Sequence, residues 1–190
     1  MQDNKIFNTS RPIDQHIRSV NIDSNDSKQI LDIYTPFVTD TTVTFEYKVP
    51  TLQEFTQRII SISNKFPYLV YEKNNVILGY AYASKYNERE AYKFTVDLSI
   101  YVDQKIQGQG IGTALYDALC LNLQKQGYRT AYAIITSPNV PSENFHTKYG
   151  FKNLALFEKS GYKFNKWIDI RYMQLQLNEY SKSPELQIIN

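Results

Sequence analysis

Between residues 94 and 102 the chain reads FTVDLSIYV, a strict alternation. Phe94, Val96, Leu98, Ile100 and Val102 fall on one face, and Thr95, Asp97, Ser99 and Tyr101 on the other. A period of two is the mark of a strand with one buried face. Nine residues later the period changes. Ile111, Ala114, Leu115, Ala118 and Leu119 recur at helical spacing, so 111–127 reads as a helix that buries one stripe.

The same reading places the other elements. HIRSVNI (16–22) reads as a strand, and the run from Ser24 to Val38 as a helix preceded by capping residues. TTVTFEY (41–47) is β-prone or extended. The segment 50–64 opens with Pro50 and a capping Thr51 and reads as a second helix. Two strands over 68–84 flank Asn74-Asn75, a hairpin signal. After the 111–127 helix come a strand at 130–136, a short helix at 141–150, and strands at 151–159 and 167–177. The residues after 177 read as a loosely held tail. The order of elements predicts an α/β (α+β) domain with a mixed, mostly antiparallel sheet. No repeat or linker interrupts it, so a single domain over 1–190 is expected, with a core at about 16–177 and flexible ends.

Composition narrows the class. The chain has 190 residues, 42% hydrophobic, enough for a sizeable core. Its 21 basic and 19 acidic residues leave a formal charge of +2, which makes no case for nucleic acid. No stretch approaches the ~18 apolar residues of a membrane span, and the first twenty residues carry no apolar signal core. With Cys120 as the single cysteine, no intramolecular disulfide can form and no cysteine cluster can hold a metal. A cytoplasmic enzyme or binding domain is expected.

Three of only seven glycines stand at 108, 110 and 112, between the alternating strand and the helix. Such a stretch is either a plain tight turn or an anion cradle. In the second case the unpaired N–H groups of a helix start face outward, missing Cβ atoms let a phosphate approach, and the helix dipole adds positive potential. The glycines alternate strictly, so the dinucleotide fingerprint G-x-G-x-x-G is not met. The Walker pattern fails too, because Thr113 follows Gly112 with no lysine between.

The pattern that fits is Q/R-x-x-G-x-G/A, at Gln107, Gly110 and Gly112. It resembles the acyl-CoA motif of the GCN5-related N-acetyltransferases (GNAT). Further stretches are similar to the phosphinothricin and methionine sulfoximine acetyltransferase branch. These are TTVTFEYKVPTLQEFTQRI, YKFTVDLSIYV, NVPSENFHTKYGF and GYKFNKWIDIRYMQ. The resemblance covers about residues 16 to 177. It implies the GNAT fold, with a V-shaped splay between two central strands and flanking helices. It also implies acetyl-CoA as acetyl donor, no metal, a homodimer, and direct attack by a small-molecule amine in a ternary complex.

Site residues follow from the same resemblance. Pyrophosphate falls to Gln107, Gly108, Gln109, Gly110, Ile111 and Gly112. The pantetheine amides fall to the backbone of Ile100, Tyr101 and Val102, and further coenzyme contacts to Asn139 and Tyr149. Asp97 takes the place of a family glutamate as base, with Leu98 where a second acid stands in relatives. From the residues alone Asp97 is either that base or a solvated strand residue. His146 matches the branch's histidine and is expected to serve as acid–base or orienting group; as a lone helical histidine it is equally a surface or core residue. Phe45, Tyr86, Arg89, Tyr92 and Lys93 fall at substrate positions, and Arg89 and Lys93 either grip a substrate anion or are solvated loop charges. Asn87 stands where related enzymes carry an arginine. The implied acceptor is an amino acid analogue such as phosphinothricin or methionine sulfoximine. The rivals are another amine (a polyamine, an aminoglycoside or a protein N-terminus) and a non-catalytic acyl-CoA-binding module, which would have no use for Asp97 and His146.

Overall fold

Alternation and helical stripes become, among the described residues of the computed structural model, a mixed sheet of seven strands, and four α-helices. Residues 6–106, 108–181 and 184–187 are described. In chain order the elements are β1 (Ile17–Ser19), α1 (Asp26–Thr39), α2 (Leu52–Ser63), β2 (Tyr68–Lys73), β3 (Val76–Lys85), β4 (Thr95–Val102), α3 (Ile111–Lys125), β5 (Thr130–Ser137), α4 (Val140–Tyr149), β6 (Lys152–Lys163) and β7 (Lys166–Gln176). Strand order is β1-β2-β3-β4-β5-β7-β6. The β4–β5 pair is parallel; the pairs β1–β2, β2–β3, β5–β7 and β6–β7 are antiparallel. The chain divides into two compact units, 11–83 with 99–119, and 1–10 with 84–98 and 120–190.

The first of these units is built on an aromatic core. Ile30, Tyr34, Phe37 and Val38 of α1 and Phe55 and Ile59 of α2 pack with Tyr68, Val70 and Tyr80 of β2 and β3. Thr51 caps α2 as the sequence predicts: its hydroxyl accepts from the Glu54 N–H while the Glu54 carboxylate accepts from the Thr51 N–H. The Asn74-Asn75 turn has φ of 54° and 63°, the pair of left-handed residues that a two-residue hairpin needs. Segment 41–47, expected as extended, is irregular instead. Tyr34 and Thr44 share a hydroxyl hydrogen bond of 2.8 Å, and the Thr41 hydroxyl donates to the Phe37 carbonyl, so side chains rather than a neighbouring strand meet its polar groups.

In the other unit β7 is the spine, paired with β5 along eight positions from Thr130–Gln176 to Ser137–Asp169 and with β6 on its far side. β6 runs on to Lys163, past the expected end at 159, because bulges at 153–155 and 157–161 absorb the irregular stretch. Both ends make specific contacts where described. Phe7 is buried, its N–H donates to the Gln176 carbonyl at 2.8 Å, and its ring stacks on Tyr149. After β7, the Asn178 amide donates to the Gln124 and Tyr128 carbonyls, and the Gln187 N–H donates to Gln126. The Asn178 side chain and the Gln187 backbone thus meet carbonyls in the last turn of α3 and just beyond it, where helical donors run out.

Candidate active site

β4 and β5 are in parallel register at Thr95–Thr130, Val96–Ala131 and Asp97–Tyr132. Asp97 therefore stands at the last registered pair. Its Oδ1 is buried with no hydrogen-bond partner. Burial alone lifts its carboxyl to about 7, with no cation contributing. A half-buried carboxylate raised towards neutrality is a candidate for proton transfer. The solvated-face alternative does not describe it.

Around Asp97, in the same unit, lie tyrosines. Register partners share a face, so Tyr132 stands beside Asp97 on β5. The Tyr86 ring lies 4.8 Å from that of Tyr132, and Tyr92 meets Tyr86 edge-on at 5.4 Å. Asp97 helps to raise both Tyr86 and Tyr132, behind burial as the main cause. Tyr86 and Tyr92, expected at substrate positions, thus lie in ring contact with Tyr132, which the sequence reading does not single out. Its even position on β5 gives its face, but only the register with β4, which no local pattern encodes, brings it to Asp97.

Arg89 and Lys93 do not join this group. Both are exposed; Lys93 pairs with Glu90 at 3.0 Å and lies over the Phe94 ring, and the Asn87 side chain accepts from the Arg89 N–H. The short 3₁₀ turn Glu90–Tyr92 carries these charges on a solvated loop.

α4 supplies the third set. Asn139 is its N-cap, and its side-chain oxygen accepts from the Ser142 N–H at 3.3 Å. His146 is 3% exposed, lies edge-on to Phe151 at 5.0 Å, and donates its Nδ1–H to the Ser142 carbonyl at 2.8 Å. Burial drives its pKa down to about 4. The ring is therefore neutral at physiological pH with its proton committed to Nδ1. A neutral imidazole fixed in this way fits the orienting alternative of the expected acid–base or orienting role. Tyr149 stacks among Phe7, Phe145 and Phe151.

The other unit holds the glycine turn. Gly108 and Gly110 have φ of +83° and +80°, and a Cβ at either would meet no protein atom within 4 Å. Positive φ explains why glycine is used, and the open space in front of the turn is the property of a cradle. Ile111, Gly112 and Thr113 are the first residues of α3, so their N–H groups lack helical acceptors. Gln107, assigned to the same cradle, lies outside the described residues. Upstream, the Tyr101 ring is held by Tyr34, Phe37 and Tyr80 at 5.1–5.3 Å, and Gly79 is small because a Cβ there would come within 3.0 Å of the Tyr101 carbonyl. These contacts anchor the Ile100–Val102 backbone. Phe45 is half-buried, and its neighbour Glu46 pairs with Arg58 of α2 at 2.7 Å beside a cavity lined by Tyr34, Tyr68 and Tyr82.

A mixed sheet with a short parallel pair and, in the other unit, a glycine turn feeding a helix are features expected of an acyltransferase. The acetyltransferase (GNAT) domain model matches residues 17–171, and the chain belongs to that family. A phosphinothricin N-acetyltransferase of Streptomyces viridochromogenes is 32% identical over 149 residues, 78% of this chain and 81% of that one. An L-methionine sulfoximine/L-methionine sulfone acetyltransferase of Salmonella typhimurium is 35% identical over 116 residues, 61% of this chain and 68% of its own. Among solved structures, a GNAT phosphinothricin acetyltransferase from Sinorhizobium meliloti in complex with acetyl-CoA superposes with a TM-score of 0.82 at 32% identity, covering 88% of this chain and 90% of that one. Among the described residues no group of three or more His, Cys, Asp or Glu side chains is placed to hold a metal, and no helix is long and apolar enough to cross a membrane.

Proposed function

We propose that this N-acetyltransferase transfers the acetyl group of acetyl-CoA to the amine of a small molecule, with Asp97 as the base. The observation that carries the base assignment is the buried, unpartnered Oδ1 of Asp97 on a carboxyl lifted to about 7. The acceptor arrives as an ammonium. Asp97 takes one proton, the nitrogen lone pair attacks the thioester carbonyl carbon, and the carbon–sulfur bond breaks so that the thiolate leaves with its electron pair; the nitrogen gives up its second proton as the amide forms, and the thiolate takes that proton, directly or relayed through solvent or a hydroxyl such as that of Tyr149. Neutral His146, fixed by its Nδ1–H bond to the Ser142 carbonyl, serves as an orienting group.

The turn at 108–112 holds the pyrophosphate through N–H groups and the positive end of α3. Registered pairing of β4 with β5 ends at Asp97, which supports the splayed strands and leaves the backbone of Ile100, Tyr101 and Val102 to the pantetheine amides. The amino-acid-analogue class of acceptor is supported by the relatives' activities; Asn139 and Tyr149 take further coenzyme contacts. We place the enzyme in the cytoplasm as a homodimer, supported by an edge strand β6 that exposes Leu154, Leu156 and Phe157; a monomer in sedimentation at micromolar concentration would overturn the dimer. The function is tested by thiol release from acetyl-CoA against amino acids, sulfoximines, polyamines and peptides. Turnover is expected with small amino-acid-like amines. Turnover with polyamines or peptides alone would contradict it.

A further inference from the structure

α4 is short and polar, and His146 is its one buried residue. Phe145 and Tyr149 pack in its C-terminal half, but Val140 at its start is 61% exposed. The first turn, which follows Asn139, therefore has no apolar contact of its own to seat it on the sheet.

Glu143 supplies a polar seat. Its Oε1 accepts from the Ser137 hydroxyl at 2.9 Å and from the Asn139 N–H at 3.1 Å, and its Oε2 stands 3.0 Å from Arg171 Nε. Ser137 is the last residue of β5. Arg171 lies on β7 opposite Ile135, two residues before Ser137 and so on the same face. Burial pushes the Glu143 carboxyl up, but the Asn139 N–H, the Ser137 hydroxyl and the Arg171 cation outweigh it and hold the group below its ordinary value. The seat is thus an ionised carboxylate at neutral pH. A helix cap would need only the Asn139 N–H. The contacts to Ser137 and Arg171 go further and tie the first turn of α4 to two strands of its own unit.

Asn139, Glu143 and His146 are spaced by four and three residues, which sets them along one side of the helix. The Glu143 N–H also donates to the Asn139 carbonyl at 2.9 Å. A shift at Glu143 therefore moves both of its functional neighbours.

We propose that Glu143 is a positioning residue for acetyl transfer: through its hydrogen bonds to Ser137 and Asn139 it fixes the first turn of α4, and with it Asn139 for the coenzyme and His146 for its orienting role. The proposal rests on the transferase reading above and deepens it.

The test compares Glu143→Ala, Glu143→Gln and Thr51→Ala with wild type. Calorimetry reads acetyl-CoA affinity, thiol release reads turnover of one verified amine, and thermal melting reads stability. Glutamine keeps an acceptor oxygen for Ser137 and Asn139; alanine keeps none. Glu143→Ala is expected to weaken acetyl-CoA about 3- to 10-fold, the worth of one hydrogen bond, and to lower kcat/KM for the amine about 10- to 100-fold, the cost of a small misplacement. Glu143→Gln should recover most of both losses. Thr51→Ala removes the cap of α2 and lowers Tm, yet should leave affinity and turnover as in wild type, which shows that lost stability alone does not produce the effect. Wild-type affinity and turnover in Glu143→Ala, equal losses in the alanine and glutamine variants, or the same losses in Thr51→Ala would overturn the positioning role and leave the transferase reading standing. Acetyl-CoA binding that weakens in Glu143→Ala and recovers in Glu143→Gln, in a protein that acetylates no amine, would do the reverse.

Discussion

Gly110→Glu is expected to abolish acetyl-CoA binding in a protein that still folds. The glycine has φ +80°, so a side chain there costs on the order of 1–2 kcal/mol of backbone strain. That alone does not unfold a domain, and an added Cβ would meet no protein atom within 4 Å. The large effect comes from the occupant of that open space. A carboxylate at the mouth of the α3 N-terminus takes the position of the pyrophosphate, fills the cradle and cancels the dipole's attraction. Gly110→Asn is the matched control, since asparagine tolerates positive φ and carries no charge; it is expected to weaken binding far less. Calorimetric titration with acetyl-CoA reads both, and wild-type affinity in folded Gly110→Glu would remove the turn from the coenzyme site.

Asp97→Asn is expected to lower kcat by about 10²–10⁴-fold while leaving acetyl-CoA affinity nearly unchanged, because a positioned base contributes that much and the amide cannot take a proton. Asp97→Glu, which restores the family's residue, should retain more activity than Asp97→Asn. A second readout of the same variant is independent of turnover. The folded carboxyl titrates near 7 and the unfolded one near 3.8, so the native state binds the extra proton in between. Wild-type stability therefore falls as pH rises from about 4 through 7, reaching a penalty on the order of 2–4 kcal/mol above that window. The asparagine variant carries no such penalty, so its Tm should exceed the wild type's by a margin that grows from pH 5 to pH 8.5. Equal margins at both pH values would mean that Asp97 is not desolvated.

Strands with a clean period of two and helices with a cap were legible because their signals are local. The alternation at 94–102, the Thr51–Glu54 cap and the Asn74-Asn75 turn each appear as written in the sequence. The glycine turn was legible for the same reason. What was not legible depends on partners distant in the chain. TTVTFEY has strand propensity, yet hydrogen bonds from its threonines to α1 hold it irregular. The tail after β7 looks polar and loose, yet it meets carbonyls at the end of α3. For His146 the sequence leaves surface, core, acid–base and orienting readings side by side; its burial and its Nδ1 bond to Ser142 are tertiary facts. Arg89 and Lys93 fall at substrate positions by resemblance; that they are exposed on a loop, with Lys93 paired to Glu90, depends on packing that the local sequence does not encode. Tyr132 was invisible because β4–β5 register is a tertiary fact.

The central claim is that Asp97 is a desolvated base that accepts the proton of the acceptor's ammonium. The most direct measurement is the pH dependence of kcat/KM for wild type and Asp97→Asn, by thiol release with one verified amine between pH 5.5 and 9.5. Wild-type activity should rise tenfold per pH unit and level off through an ionisation near 7, since the carboxylate is the active form. In Asp97→Asn that inflection should vanish, and the remaining slow rate should climb only towards the pKa of the amine itself. An inflection near 7 that persists in the asparagine variant at undiminished rate would contradict the account.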